Sequence, residues 1–252
     1  MAESVIAARG VSKLYRYLAA LEEVSLVIEE GQFVSLVGPS GCGKSTLLQI
    51  LGGLLPATSG EVLIDGARVD RPLPGKIAIV FQDPTLLPWK SARENVLFPL
   101  EAQRVVREER ARRADAMLEL VGLSGFAGKY PHQLSGGMKQ RVSIARGLAQ
   151  NPRIILMDEP FGALDEQTRL KMGHELLGIW DRTRKTIFFI THSLTEALYL
   201  SDQVLVMSGR PGRIIDRIIV ELPRPRTYEM IGSAEFGAAR NRIWRLIGGE
   251  AP

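Results

Sequence analysis

Gly38-Pro39-Ser40-Gly41-Cys42-Gly43-Lys44-Ser45-Thr46 carries the full G-x-x-x-x-G-K-S pattern of a Walker A phosphate loop. The apolar run 33–37 before it reads as a buried strand and 45–54 after it as a helix, which is the context the pattern requires. The glycines let the backbone wrap closely around a polyphosphate, so that successive N–H groups and the positive end of the following helix point at the anion. Lys44 then reaches the outer phosphates. The Ser45 hydroxyl is suited to Mg²⁺, a hard cation that keeps water and phosphate oxygens as its other ligands. The stretch predicts a bound nucleotide. It also places Cys42 just before a helix N-terminus, where a thiolate is favoured and a thiol reagent is expected to react.

Composition narrows the class. The 252 residues, 45% of them hydrophobic, suffice for a sizeable core, as one large domain or a main domain with a subdomain. No uninterrupted apolar stretch reaches the ~18 residues of a membrane span, and Met-Ala-Glu-Ser lacks the basic-then-apolar start of a signal peptide. The expectation is a globular, soluble chain that stays in the cytosol, and Cys42 as the single cysteine agrees with a reducing compartment. The net charge of +4 leaves 32 basic residues balanced by 28 acidic ones, so charge alone does not call for nucleic acid. The densest basic stretch, 104–113, is interrupted by Glu108 and Glu109 and reads as a solvated helix face.

Along the chain, 4–9 and 21–29 read as strands of an antiparallel layer, the second alternating Val24, Leu26 and Ile28 with Ser25 and Val27. Tyr15 lies between them and offers a π-face to a purine, although by itself it reads as a packing residue. A short strand at 61–64 precedes an Asp65-Gly66 turn, and a buried strand at 77–81 delivers Gln82 and Asp83. Pro84, Pro88 and Pro99 then predict an irregular surface at 84–99 that carries Trp89 and Phe98. Residues 104–121 read as a helix stopped by Gly122. Ser135-Gly136-Gly137 opens another helix, as a plain N-cap or as a second anion site.

The apolar strand 154–158 ends in Asp158 and Glu159, which strand alternation aims in different directions. Asp158 fits the Walker B acid that holds Mg²⁺ through water, and Glu159 is then free to orient or deprotonate an attacking water. A last buried strand at 186–190 delivers Thr191 and His192, while His132 and His174 read as structural histidines. Ligand sites in open parallel sheets form beyond the carboxyl ends of the strands, where the phosphate loop, Gln82, Asp158, Glu159 and His192 are all expected. Strands at 203–207 and 213–221 close the pattern. Beyond Pro223-Arg224-Pro225, 234–247 reads as a helix with Phe236, Ile243, Trp244 and Ile247 on one side.

With these residues in place, the chain resembles the ATP-binding subunit of an ABC transporter along nearly its whole length. The resemblance rests on the Walker A loop, the Q-loop Gln82, the signature 134–140, the Walker B strand with Glu159, the D-loop Ala163-Leu164-Asp165 and the switch His192, in the family's order. It implies a P-loop core with a mostly parallel sheet, an N-terminal antiparallel layer and a helical subdomain over about 84–150, within an ATPase domain spanning 1–222 and followed by a short tail. It further implies two copies paired head to tail, with ATP and Mg²⁺ between Walker A of one and Ser135, Gly136 and Gly137 of the other, and Asp165 acting across the interface. Tyr15 would stack on adenine. Gln82 would sense Mg²⁺ and the γ-phosphate, and His192 would contact that phosphate and the attacking water.

The subunit would lie peripherally on the cytoplasmic face of the cell membrane, against permease subunits and indirectly a solute-binding protein. Phe81-Gln82-Asp83-Pro84, Leu87-Pro88-Trp89 and Ser208-Gly209-Arg210-Pro211-Gly212 look most like importers of nitrate, sulfonates, taurine and related small solutes. The competing class, an ABC-type ATPase acting on nucleic acid or ribosomes, usually carries a coiled-coil insertion or a second Walker A, and neither a long heptad run nor a second loop occurs here. No nucleic-acid partner is expected.

Overall fold

A computed structural model describes residues 4–162 and 164–248. In chain order the elements are β1 (Ser4–Tyr15), β2 (Leu18–Glu29), β3 (Phe33–Val37), α1 (Lys44–Leu51), β4 (Ser59–Ile64), β5 (Ala67–Arg68), β6 (Ile77–Val80), α2 (Ala92–Ala102) and α3 (Arg107–Leu120). There follow α4 (Gly136–Ala149), β7 (Ile154–Asp158), α5 (Glu166–Thr183), β8 (Thr186–Ile190), α6 (Leu194–Leu200), β9 (Gln203–Met207), β10 (Ile214–Ile219) and α7 (Ala234–Leu246). They form two compact units, one running to Leu73 and resuming at Arg184, the other Pro74–Thr183.

In the first unit, β2, β1, β4 and β5 pair antiparallel in that order. Val24, Leu26 and Ile28 are buried while Ser25 and Val27 are exposed, as alternation on a sheet with one covered face requires. The expected strands 4–9 and 21–29 are longer here and meet at a hairpin, with Tyr15 paired to Leu18 at its tip. A second set has β3 between β8 and β9, parallel to both, with β10 antiparallel on β9. A strand with parallel neighbours on both sides and both faces covered has no solvated residue, and all five of β3 are buried, Ser35 included.

The helix after the phosphate loop stops at Leu51, three residues earlier than expected. Gly53 takes φ +69°, and the Leu54 N–H reaches back to the Gln49 carbonyl at 2.8 Å, a left-handed stop that only glycine takes cheaply. At the far end of the chain, α7 buries Phe236 and Ile243 completely. Trp244, expected on the same side, is exposed: it follows Ile243 by one residue, about 100° around the helix.

The second unit holds β6 and β7 as a parallel pair, together with α2, α3, α4 and α5. Residues 84–99 are not irregular throughout, because α2 begins at Ala92 and runs through Pro99. A capping box overrides the proline signal. The Ser91 hydroxyl accepts from the Glu94 N–H at 3.3 Å, and the Glu94 carboxylate accepts from the Ser91 N–H at 2.7 Å. The buried Asn95 side chain adds bonds to the Leu87, Lys90 and Ser91 carbonyls. Pro99 removes only one N–H of the ladder.

The helix expected from Arg104 starts at Arg107, since Arg104 itself sits at φ +57°. Its charged face is solvated and internally paired, with Glu109 bonded to Arg113 at 2.6 Å and Arg112 at 2.7 Å, which holds that carboxyl below its ordinary range. His132 and His174 are exposed rather than built into the core, and the His132 ring stacks on Tyr130 at 6.0 Å.

Candidate functional site

In the first unit the phosphate loop leaves β3 and returns into α1. Its glycines answer to steric demands: a Cβ on Gly38 would stand 2.7 Å from the Met207 carbonyl oxygen, and one on Gly43 2.8 Å from that of Ala20. Gly41 and Gly43 also take φ +72° and +106°, a region L side chains rarely occupy. Gly43 is the N-cap of α1, so the first-turn N–H groups of that helix point out of its N-terminus toward the loop. The buried Lys44 ammonium lies across the loop and donates to the Gly38 and Pro39 carbonyls, each at 2.9 Å. Ser40, Gly41 and Ser45 are exposed, and Pro39 and Thr46 half-buried.

Cys42 departs from expectation. It is 1% exposed, and burial pushes its thiol up, against the opposing pull of the Lys44 charge. The sulfur lies in packed protein, 4.0 Å from Lys44 Nζ, and desolvation outweighs the pull of that charge.

Because β3 and β8 run parallel with Leu36 beside Ile190, Thr191 and His192 emerge at the same sheet edge as the phosphate loop. His192 is exposed. Its turn is held by a hydrogen bond from Thr191 Oγ1 to the Glu196 carboxylate, by the Ser193 N–H on Thr191 Oγ1 at 2.9 Å, and by the Glu196 N–H on the Ser193 hydroxyl. Tyr15 is 42% exposed at its hairpin tip, with the Lys13 ammonium 5.3 Å from the ring centroid, so the ring is open rather than packed.

In the second unit, Gln82 and the Asp158-Glu159 pair leave the common edge of β6 and β7, where Val80 lies beside Met157. Glu159 sits at φ +43°, a strained position for a non-glycine residue and one that concentrates at functional sites. The Gly162 N–H closes the following turn on the Glu159 carbonyl at 3.0 Å. The point where a Gly162 Cβ would stand lies 3.2 Å from Gln82 Nε2 and 3.5 Å from Glu159 Oε2, so both side chains converge on that glycine.

Ser135 is exposed and N-caps α4 through its hydroxyl and the Met138 N–H at 3.3 Å. Gly136, next to it, is exposed with nothing within 4 Å of its missing Cβ, while Gly137 is half-buried. Asp165 accepts the Thr168 N–H at 3.0 Å ahead of α5, which holds its carboxyl below the usual range. Ala163, the first residue of the D-loop, lies outside the described residues.

Some relations around the site were not read from the sequence. Gly162 has no local signal, because its role appears only when Gln82 arrives from 80 positions away. The bond from Gln140 Nε2 to the Phe81 carbonyl, at 3.3 Å, joins residues 59 apart. Arg210 bonds the Gly41 carbonyl across 169 positions, a relation that no local pattern carries.

Residues 21–162 match the model of the family described as ABC transporter. The taurine import ATP-binding protein TauB of Rhizobium johnstonii is 53% identical over 209 residues, covering 83% of this chain and 79% of that protein. The nitrate import ATP-binding protein NrtD of Synechocystis sp. is 44% identical over 238 residues, 92% of this chain and 89% of that one. Among solved structures, a dimeric, post-hydrolysis state of the ATP-binding cassette MJ0796 with ADP and Pi superposes at TM-score 0.76 and 37% identity, over 86% of this chain and all of that one.

Proposed function

The chain belongs to the ABC transporter family as an ATP-hydrolysing subunit, and on that premise we propose that it powers import of a small solute of the taurine, sulfonate or nitrate class. Lys44 and the amides of Gly38-Pro39-Ser40-Gly41-Cys42-Gly43-Lys44-Ser45-Thr46 hold the phosphates, Tyr15 stacks on adenine, and Glu159 positions and deprotonates the attacking water. Gln82 and His192 read the γ-phosphate. The observation that carries this assignment is the convergence of Gln82 and Glu159 on Gly162, a carboxylate and an amide held together at one strand edge.

The metal assignment is Mg²⁺. Among the described residues there is no cluster of three His, Cys, Asp or Glu able to cage a metal. The cation would be held by the Ser45 hydroxyl, by Asp158 through water, by Gln82 and by substrate phosphates. When bound, Mg²⁺ neutralises charge on the β- and γ-phosphate oxygens.

Two copies pair head to tail, so that Ser135, Gly136 and Gly137 of one close over the nucleotide of the other and Asp165 acts across the interface. Gly136 supports this. Neither its φ nor any neighbour among the described residues requires a glycine there. Its open side leaves room for the backbone approach of a partner or ligand. The subunit works against separate permease subunits at the cytoplasmic face, fed by a solute-binding protein; no helix among the described residues is long and apolar enough to cross a membrane.

Glu159→Gln tests the core of the proposal. The variant binds ATP and accumulates as a dimer with MgATP in size-exclusion chromatography, while hydrolysis falls by about 100-fold or more. Hydrolysis at the wild-type rate overturns the role. The solute class is tested by co-purifying the permease and solute-binding protein and measuring which solute stimulates ATPase activity.

A further inference from the structure

The segment between β9 and β10, 208–213, lies on the outside of the phosphate loop. Its own turn is closed twice, by the Ser208 N–H on the Arg213 carbonyl at 2.9 Å and by the Arg213 N–H on the Ser208 hydroxyl at 3.0 Å. Gly212 is then stitched to the antiparallel layer, its N–H on the Ala20 carbonyl and its carbonyl accepting from the Glu22 N–H, both at 3.0 Å. So close is this approach that a Cβ on Gly212 would stand 2.2 Å from the Cys42 carbonyl oxygen.

From this anchored turn the Arg210 guanidinium reaches the phosphate loop. Nε and Nη2 both donate to the Gly41 carbonyl, at 3.1 and 2.8 Å, and Nη1 has no partner among the described residues. Gly41 is exposed and left-handed. Since the peptide unit is planar, fixing the Gly41 carbonyl also fixes the direction of the Cys42 N–H at the other end of the same plane. That N–H donates to the Pro39 carbonyl at 3.4 Å, so the two bonds together fix this peptide in the loop.

We infer that Arg210 is a positioning residue for the nucleotide: its two-pronged bond to Gly41 holds the phosphate loop in the shape that receives the polyphosphate. The inference rests on the reading of 38–46 as the phosphate cradle. A planar fork is needed, because a point charge such as lysine does not bring two donors onto one oxygen in a fixed direction.

The test uses the purified full-length chain and a fluorescent ATP analogue, with Lys44→Ala as the reference for the cradle itself. Arg210→Gln and Arg210→Lys both weaken analogue binding and raise KM for ATP by about fivefold, with kcat held within about twofold and the melting temperature unchanged. Wild-type binding by Arg210→Gln, with Lys44→Ala impaired, overturns the role of Arg210 alone. Full recovery in Arg210→Lys overturns positioning in favour of charge. A drop in melting temperature that matches the loss of binding makes the arginine merely structural. Normal binding by Lys44→Ala overturns the cradle reading beneath it.

Discussion

Arg146, near the end of α4, grips Thr85, three residues beyond Gln82: its guanidinium donates to the Thr85 carbonyl at 2.9 Å, to the Thr85 hydroxyl at 3.1 Å and to the Pro84 carbonyl at 2.8 Å. Gln140, on the same helix, holds the Phe81 carbonyl on the other side of Gln82. The helix that opens with Ser135 and Gly136 thus brackets Gln82 from both directions, and Thr85 takes φ +47° to accept the arrangement. Burial lowers the Arg146 pKa only from a very high value, so the side chain stays a cation at neutral pH.

Removing that grip is therefore expected to affect both stability and turnover. Arg146→Ala loses charge-assisted bonds to four acceptors, Ser143 Oγ among them, and costs about 1–3 kcal/mol, read as a lower urea midpoint at constant slope. Its ATPase activity falls by more than its ATP affinity, because Gln82 loses its fixed position while the phosphate loop is untouched. Equal losses in both would count against the bracket.

Trp89 separates stability from partner binding. It is 70% exposed and Phe98 45%, so neither ring is buried under the helices of its own unit. Trp89→Ala should change the stability of the isolated subunit by less than about 0.5 kcal/mol, as for other exposed positions. Permease association should weaken by about 2 kcal/mol, roughly 30-fold in Kd, as for an aromatic anchor at the centre of an interface. Pull-down of the permease beside thermal melting decides it. A large fall in melting temperature with undiminished pull-down would move the docking surface elsewhere.

Cys42 is expected to be slow toward thiol reagents in the folded chain. A thiol with its pKa raised by burial carries less thiolate at pH 7–8 than a free one, and the rate climbs only as pH passes above the ordinary thiol range near ~8.5. Alkylation followed by mass spectrometry should be at least about tenfold faster in urea than in buffer, since unfolding removes both the burial and the raised pKa. Equal rates in the two conditions would mean that the sulfur is accessible.

The chain after Pro223 caps α6. Arg226 is 4% exposed and donates to the Leu198 and Ser201 carbonyls at 2.9 and 3.2 Å, while Arg224 bonds the Leu200 carbonyl at 2.9 Å and Asp202 at 2.7 Å. Burial pushes the Arg226 guanidinium down to about 10, which leaves it charged at neutral pH. Arg226→Met leaves two carbonyls at a helix end without this donor and should lower stability by about 1–3 kcal/mol in urea titration. Because α6 directly follows the turn that carries His192, hydrogen exchange in 191–200 should rise with it. Unchanged exchange there would show that the tail does not hold the helix.

The phosphate loop, the strands before Gln82, Asp158 and His192, and the helix opened by Ser135 were legible in the sequence because each is a local pattern. Glycine spacing, a five-residue apolar run and a hydroxyl before a helix act over one turn or one strand, and the backbone has few ways to answer them. The helix through Pro99 is a different case, since its capping box at Ser91 and Glu94 and the Asn95 bonds to three carbonyls all act within eight residues and were outweighed in the sequence reading by the proline signal. Two matters were decided only by tertiary structure, each because the force involved acts between residues far apart in the chain. Burial beneath a distant turn turned Cys42 from a reactive thiol into a protonated core residue. The grip of Arg210 on Gly41 and the meeting of Gln82 with Glu159 at Gly162 exist only once the strands have paired, since a hydrogen bond requires about 3 Å and the sequence places these groups tens of residues apart.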